Sequence, residues 1–419
     1  MAKKVAFLTL GCKTNQYETN GMMQQFLDAG YEICNADEEP DIYIVNTCTV
    51  TNIADRKSRQ SLRKVKNKKD TIVIAVGCYA QVAKDTLQNM PEIDIILGNK
   101  EKKNIIKYIE DYEISRNKIV DVANINMQQD FDEYGCITYT EKARTTIKIQ
   151  DGCNNFCSYC LIPYARGRVR SRNKENILEE ARKIANKGIK EIVLTGIHIA
   201  SYGKDFNEEY ELVDLLEDLN KIEGIERIRL GSLEPTIITE EFVGRLTKLD
   251  KICNHFHLSL QSGCDETLKR MNRKYTTKEF REVVKRLRDN IKDVNLTTDI
   301  IVGFPGETEE EFNTTYEFLK EIKFYKMHIF KYSKRDGTIA ATMPNQIDGN
   351  IAEQRSKKLI ELSERNQKEY EKKYAGKEVE VLFEEKQGEY WVGHTTNYML
   401  VKYKSNQNLE NKILSCTFK

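Results

Sequence analysis

Three cysteines at the spacing C-x3-C-x2-C, Cys153, Cys157 and Cys160, stand in the stretch Asp151-Gly152-Cys153-Asn154-Asn155-Phe156-Cys157-Ser158-Tyr159-Cys160. Thiolates are the ordinary ligands of iron–sulfur clusters. Three of them can hold three irons of a four-iron cluster and leave the fourth open to a small molecule that offers an amino and a carboxylate group together. Structural zinc is the rival reading, but it takes four closed ligands, usually from paired modules, and the sequence supplies no partner pair nearby. A second set of cysteines is spread out. Cys12 lies in Gly11-Cys12-Lys13, Cys48 in Asn46-Thr47-Cys48-Thr49 and Cys78 in Gly77-Cys78-Tyr79, each just past an apolar run.

Those runs must position the second set. Lys4–Leu10, Asp41–Val45, Thr71–Val76 and Ile93–Leu97 read as strands; Tyr17–Ala29, Ile53–Val65, Ala80–Asn89 and Lys102–Tyr112 read as helices. Alternation with continuously apolar strands predicts an α/β, doubly wound parallel sheet over residues 1–125. Such a sheet binds ligands at the carboxyl edge of its strands. The cysteines are separated by 36 and 30 residues, each suited to about one strand–helix–strand unit, so the thiols can converge on one edge as a second cluster site. Three unrelated buried cysteines are the alternative. Cys34, Cys136, Cys253, Cys264 and Cys416 lack this placement and read as free thiols.

The compact triad belongs to a longer βα series over residues 140–370. Strands are predicted at Thr145–Ile149, Glu191–Leu194, Arg227–Leu230, His255–Leu260, Asn295–Ile301 and Lys326–Tyr332, with helical patterns between them. Six βα units are too few for a closed eight-stranded barrel and suit a partial, open one, active at its C-terminal mouth. The loops at that mouth carry the candidate ligand-orienting residues Gly196, Ser232, Glu234, Gln261 and Gly303. Glycines admit close backbone approach, although each loop taken alone is also just a turn. After the triad, Arg166, Arg168, Arg170 and Arg172 recur at every second position. If extended they line one face and can fork onto RNA phosphates; internal ion pairing with acidic helices is the alternative. A basic run, Arg56–Lys69, is either a phosphate-tracking face or a solvated helix face. The five histidines show no ligand spacing with the cysteines and read as packing or polar contacts.

The totals narrow the setting. The 419 residues suffice for two or three domains. Sixty-six basic residues against 65 acidic leave a net charge of +1, so any nucleic-acid contact must be local. No apolar run is long enough to cross a bilayer and no signal-peptide pattern opens the chain, so no membrane partner and a cytoplasmic location are expected. Eleven cysteines in that compartment favour metal or redox work over disulfides. Ile351–Tyr374 reads as a charged linker helix. Beyond it three short strands within residues 374–419 predict a small antiparallel β-barrel, whose aromatics either stack on bases or fill its core.

The C-x3-C-x2-C stretch resembles the radical SAM superfamily, and both triads together resemble the methylthiotransferase family over nearly the whole chain: an N-terminal methylthiotransferase domain, a radical SAM core and a C-terminal TRAM domain. Within it, Leu10-Gly11-Cys12-Lys13-Thr14-Asn15-Gln16-Tyr17-Glu18-Thr19 and Ile162-Pro163-Tyr164-Ala165-Arg166-Gly167 are similar to the MtaB-type, threonylcarbamoyladenosine group. Thr14 stands where valine is more usual. The MiaB group has Gln then Met-Asn-Glu after the first cysteine, and the RimO group has Pro-Lys-Asn. The resemblance implies two [4Fe-4S] clusters, on Cys153/Cys157/Cys160 and on Cys12/Cys48/Cys78, with S-adenosylmethionine (SAM) on the first. It implies a tRNA substrate modified at carbon 2 of N6-threonylcarbamoyladenosine, an isopentenyladenosine or a ribosomal-protein aspartate being the alternative acceptors. An external one-electron reductant of flavodoxin or ferredoxin type is implied too, since no flavin or nicotinamide motif is evident.

Overall fold

The computed structural model describes residues 2–65, 70–137 and 143–418. Part of the basic run, residues 66–69, lies outside them. Strands β1 (Lys4–Thr9), β2 (Glu32–Cys34), β3 (Ile42–Thr47), β4 (Ile72–Gly77), β5 (Ile95–Leu97) and β6 (Ile119–Asp121) form one sheet in the order β2-β1-β3-β4-β5-β6, and every pairing is parallel. All residues of β3 and β4 are buried because helices cover both faces. Phe26, Ile105 and Ile109 pack on Ile42, Ile44 and Ile74; Leu62, Tyr79 and Leu87 pack on Tyr43, Val45 and Val73. The doubly wound sheet is therefore as expected, but with two extra strands. β2 and β6 are three-residue edge strands with no fully buried residue, too short and too exposed to leave a periodic trace.

The central series forms β7 (Arg144–Lys148), β8 (Glu191–Thr195), β9 (Arg227–Leu230), β10 (His255–Gln261), β11 (Asn295–Val302) and β12 (Lys326–Lys331). They make two parallel three-stranded sheets, β9-β8-β7 and β10-β11-β12, linked by a bridge between Leu233 and Leu258. This is the open, six-stranded partial barrel. Side chains alternate across each strand. Ile192, Leu194, Ile228, Phe256, Leu258, Leu260 and Ile300 join the helices in one large core, so Glu191, Arg227, Arg229, His255, His257 and Asp299 face the hollow. Capping boxes at Thr276/Glu279 and Thr308/Glu311 start two of the outer helices.

The linker helix, Gly349–Lys372, starts at the Asp348 cap and buries Leu359 and Leu362 in the barrel core. The tail is an antiparallel half-barrel sheet of β13 (Glu378–Gln387), β14 (Tyr390–Thr395), β15 (Leu400–Lys404) and β16 (Ile413–Thr417), in the order β15-β14-β13-β16. Trp391 and Phe383 fill its core with Val381 and Met399, and so serve packing. The sheet grips the floor of the partial barrel. Arg229 donates to the Thr395 and Thr396 carbonyls, Arg227 to the His394 carbonyl, and Asn295 to that of Asn397.

Candidate active site

The six cysteines fall at the carboxyl ends of parallel strands. Cys12 follows β1 and caps the helix Lys13–Asp28; Cys48 follows β3; Cys78 follows β4 and opens the helix Cys78–Val82. These strands are direct neighbours, which brings the thiols together. Gly11, at φ +98°, is so close to Cys48 that a Cβ there would lie 2.7 Å from its Sγ. Burial, reinforced by the Cys78 and Cys12 thiols, pushes the Cys48 thiol up to about 11. Cys153, Cys157 and Cys160 lie just beyond β7, and each sulfur has an N–H within reach. Asn155 N is 3.5 Å from Cys153 Sγ, Arg273 Nη1 3.2 Å from Cys157 Sγ and Ile162 N 3.4 Å from Cys160 Sγ. Burial pushes Cys153 up to about 11 and Cys160 up to about 12, and the Cys157 thiol adds to both. Each triad can hold a cluster, since metal binding displaces such protons.

A buried ionic network links the two. Arg166 Nε lies 3.1 Å from Cys78 Sγ, and its Nη2 donates to Glu18 at 2.9 Å. Its Nη1 reaches Glu18 and also Asp151 at 3.2 Å. Lys102 and Lys148 donate to the same Glu18 carboxylate, at 2.5 and 2.7 Å. Lys148 also reaches Asp151 at 2.6 Å, and Arg170 lies 3.7 Å from it. Four cations thus share two carboxylates in the protein interior. Burial pushes both acids up, but the cations outweigh it: Arg166, Lys102 and Lys148 hold Glu18 well below the usual carboxylate range, and Lys148, Arg166 and Arg170 do the same to Asp151.

This placement corrects the arginine expectation. Residues Ile162–Arg166 form a helical turn ended by Gly167 at φ +72°, so the run is not extended from its start. Arg166, Arg170 and Arg172 are buried. Arg170 donates to the Arg166 and Arg168 carbonyls, and Arg172 pairs with Glu133 and Glu180. A guanidinium so enclosed presents nothing to phosphate; internal pairing is the reading that holds for these three. Arg168 is exposed and stacks over Phe156, 4.5 Å from the ring centroid.

Among the loop residues, Glu234 is the anchored one. It accepts from Asn155 Nδ2 at 2.9 Å, meets His198 Nε2 at 2.6 Å and lies 3.3 Å from Arg273 Nη2. Burial raises its pKa, but the His198 hydrogen bond and the Arg273 charge outweigh that and hold it at about 2. Ser232 is exposed, and Gln261 sits half-buried at φ +71° where β10 bulges. Gly196 is closed in by Gln150 and Ile199, each about 2.9 Å from where its Cβ would be. Gly303 serves packing: a Cβ there would lie 2.8 Å from the Ala352 Cβ on the linker helix. His198, Asn155 and Arg273 were missed as site residues; only the position of His198 in a predicted βα loop pointed there. A cleft of about 690 Å³ runs between sheet and barrel, lined by Tyr79, which follows Cys78, and Leu161, which follows Cys160.

A further ionic cluster lies where the inward faces of β7, β8 and β9 meet the tail, with Glu191 paired to Arg229 and Arg144 to Glu384. Lys13, next to Cys12, is exposed. Its neighbours are Arg144, Arg229, Glu191 and Glu384; burial first, then the two guanidiniums, lower its ammonium to about 8. Tyr398 from the tail joins the cluster: its ring stacks on His255 and on His394, at 4.7 and 4.6 Å, with the Arg229 guanidinium 4.8 Å from its centroid.

Residues 147–319 match the Radical SAM superfamily and residues 4–98 match the Uncharacterized protein family UPF0004. The chain is 43% identical over 417 residues to the threonylcarbamoyladenosine tRNA methylthiotransferase MtaB of Bacillus subtilis, covering 98% of this chain and 92% of that protein. The chain belongs to the radical SAM methylthiotransferase family. Methylthiotransferases named for another acceptor are also similar: the tRNA-2-methylthio-N(6)-dimethylallyladenosine synthase of Alkaliphilus oremlandii is 37% identical over 428 residues, covering 99% of this chain and 89% of that one. Among solved structures, the radical SAM methyltransferase TsrM of Kitasatospora setae shares the fold at a TM-score of 0.59 and 15% identity, covering 79% of this chain and 75% of that one. As a radical SAM enzyme, this methylthiotransferase uses a [4Fe-4S] cluster and SAM. Among its described residues no helix is long and apolar enough to cross a membrane.

Proposed function

We propose that this enzyme inserts a methylthio group at carbon 2 of N6-threonylcarbamoyladenosine next to the anticodon of a tRNA. The observation that carries the reading is the pair of thiol triads at the carboxyl edges of two adjoining parallel sheets, tied together by Arg166 through Cys78, Glu18 and Asp151. In this reading residues 1–125 form the auxiliary-cluster domain, residues 140–370 the SAM-binding core with its linker helix and residues 374–419 a TRAM domain.

Cys153, Cys157 and Cys160 would hold the cluster that binds SAM, and Cys12, Cys48 and Cys78 a second one. The donor sets fit. The compact triad meets three N–H groups, and the spread triad abuts a cation surplus that suits anionic thiolates. Bound clusters and SAM supply the one-electron chemistry and the sulfur and methyl groups. The chain's own residues do the positioning. Glu234 stays ionised at neutral pH and, held by His198, Asn155 and Arg273, offers a fixed carboxylate to SAM, with Gln261, Gly196 and Ser232 on the same mouth. Exposed Arg168 and the Arg59 side of the cleft meet RNA phosphate. Electrons come from a flavodoxin- or ferredoxin-type donor, and the activity is cytosolic.

The similarity to dimethylallyladenosine synthases keeps one other acceptor in view. Anaerobic, reconstituted enzyme with SAM and dithionite is offered tRNA bearing either N6-threonylcarbamoyladenosine or isopentenyladenosine, and nucleosides are read by mass spectrometry. A methylthio product from the threonylcarbamoyl acceptor is expected. Product from the isopentenyl acceptor alone would overturn the reading.

A further inference from the structure

Outside both cysteine triads, three ligand-type side chains meet in the hollow of the partial barrel. His257, Asp299 and His328 stand on β10, β11 and β12. His257 pairs in register with Thr297, two residues before Asp299, and Asp299 pairs with His328. Alternation along the strands therefore puts all four side chains on one face. A ring nitrogen from each histidine and a carboxylate oxygen of Asp299 lie within 4.8 Å of one another. His257 Nε2 is 3.2 Å from Asp299 Oδ2, and the two imidazole rings have centroids 5.8 Å apart. The three residues are 42 and 29 positions apart in the chain, so only the sheet brings them together.

The spacing of His257 and Asp299 is that of two ligands on one ion. Bonds of about 2.1 Å put neighbouring donors roughly 3.0 Å apart in an octahedron and roughly 3.4 Å apart in a tetrahedron, and 3.2 Å falls between the two. Thr297 orients the first imidazole. Its buried hydroxyl lies 3.0 Å from His257 Nδ1 and 3.0 Å from His255 Nε2. A hydroxyl donates once and accepts as well. When it donates to His255 it accepts from His257 Nδ1–H, and the His257 Nε2 lone pair then faces the Asp299 carboxylate. A lone pair and a carboxylate at that distance need a cation between them, and the Nδ1 bond is the outer-shell contact that metal-bound histidine regularly makes. With the protons reversed, His257 Nε2–H simply pairs with Asp299, but His328 is then idle. Neither of its ring nitrogens has a hydrogen-bond partner among the described residues, and its side chain is exposed, so rotation about its own bonds can close the remaining gap.

We propose that His257, Asp299 and His328 form a mononuclear site for a divalent transition-metal ion, with Thr297 orienting His257. Two imidazoles and one carboxylate suit the zinc, iron(II) and manganese class, whereas calcium and magnesium take oxygen ligands. Three protein ligands leave coordination positions open. Those positions face the hollow, since His328 is exposed and His257 and Asp299 are half-buried. An ion there holds a water or an oxygen-bearing group of whatever enters the hollow. It is separate from the iron of either triad, which thiolates bind, and does not depend on which acceptor the enzyme modifies.

The probe is Mn²⁺, which prefers nitrogen and oxygen donors to thiolates, so the free cysteines do not compete for it. Reconstituted holoenzyme is passed over a chelating resin and kept oxidised, which leaves four-iron clusters silent in EPR. It is then titrated with Mn²⁺, and the free ion is read from its EPR signal. Wild type is expected to retain about one Mn²⁺ per chain, with imidazole nitrogen coupling in pulsed EPR. Asp299→Ala and His328→Ala should each lose that ion at a concentration that saturates wild type. Thr297→Val removes only the orienting hydroxyl and should weaken binding about 10- to 100-fold, and Thr297→Ser should keep it. Glu321→Gln, an exposed carboxylate elsewhere, should change nothing. Wild type without nitrogen coupling overturns the inference even if Mn²⁺ is retained, since the ion then sits on surface carboxylates. Binding that survives in Asp299→Ala overturns it as well. Iron content reports whether each variant has folded, and the wild-type result stands without any of them.

Discussion

Replacing Glu18 by Gln keeps its shape and removes one of two carboxylates from the buried network. Glu18 accepts from Lys102 at 2.5 Å, from Lys148 at 2.7 Å and from both terminal nitrogens of Arg166. Its own side chain and those of the three cations are at most 1% exposed. Without Glu18, Lys148, Arg166 and Arg170 are left with Asp151 alone and Lys102 with no carboxylate among the described residues. Breaking a buried pair from one side costs about 3–5 kcal/mol, because the partner charges stay desolvated. Individual charged hydrogen bonds of about 1.5–3 kcal/mol cannot simply be added here, since the three cations share one carboxylate. Against a total stability of roughly 5–15 kcal/mol, the expected loss is large. Glu321→Gln is the control: Glu321 also takes two bonds from one arginine, Arg281, at 2.8 and 2.9 Å, but the pair is half-exposed and should cost about 1 kcal/mol or less. The assay is urea unfolding of the metal-free, reduced proteins, with midpoint and slope both reported, because a chain of several domains need not unfold in one step. Should Glu18→Gln lose no more than Glu321→Gln, the network does not hold sheet to barrel and the reasoning fails.

Three further outcomes are expected. Reconstituted wild type should carry about eight irons, and alanine replacement of either full triad should leave about four; a wild-type count near four would remove the second cluster. Arg273→Ala deletes the donor to Cys157 Sγ and a cation beside Glu234, and should cost about 10–100-fold in SAM cleavage, the range for an outer-shell partner; unchanged turnover would refute its positioning role. Glu191 is pushed up by burial but held below its ordinary 4.5 by Arg229, then Arg144 and Arg227. A depressed carboxylate contributes stability that is full above its unfolded pKa and is lost as pH falls through the folded one. The stability gap between wild type and Glu191→Gln should therefore be constant above about pH 5 and shrink below about pH 4.3, as read from denaturation midpoints across pH; a gap that grows on acidification would contradict the sign.

The cysteines were legible because their signal is local. A three-residue spacing, or a cysteine just past an apolar run, states its own placement once strands are parallel. The arginines were not, because their partners are remote. Arg166 meets Glu18 148 positions away and Cys78 88 positions away, and nothing in an alternating run tells a solvent face from a buried one. His198 and Arg273 gave too little for the same reason: each is defined by Glu234, which lies on another strand's loop. Gly303 misled because a glycine at a loop suits a ligand and a tightly packed helix equally well. The strands β2, β6 and β16 escaped because three to five residues at an edge or a chain end carry too little alternation to register.

The buried network at Glu18 is unbalanced in one direction, setting four cations against two carboxylates. Low-dielectric surroundings make such surpluses costly, and apolar packing would be the stabler choice if stability alone were at stake. The surplus adjoins Cys78, whose sulfur would be anionic as a ligand of the proposed second cluster. Cys12 and Glu18 lie little more than a turn and a half apart at the start of a single helix. That segment sets a proposed cluster ligand and the carboxylate that receives Arg166 within seven residues of one another. A shift of the helix Lys13–Asp28 would therefore disturb the spread triad and the joint between sheet and barrel together.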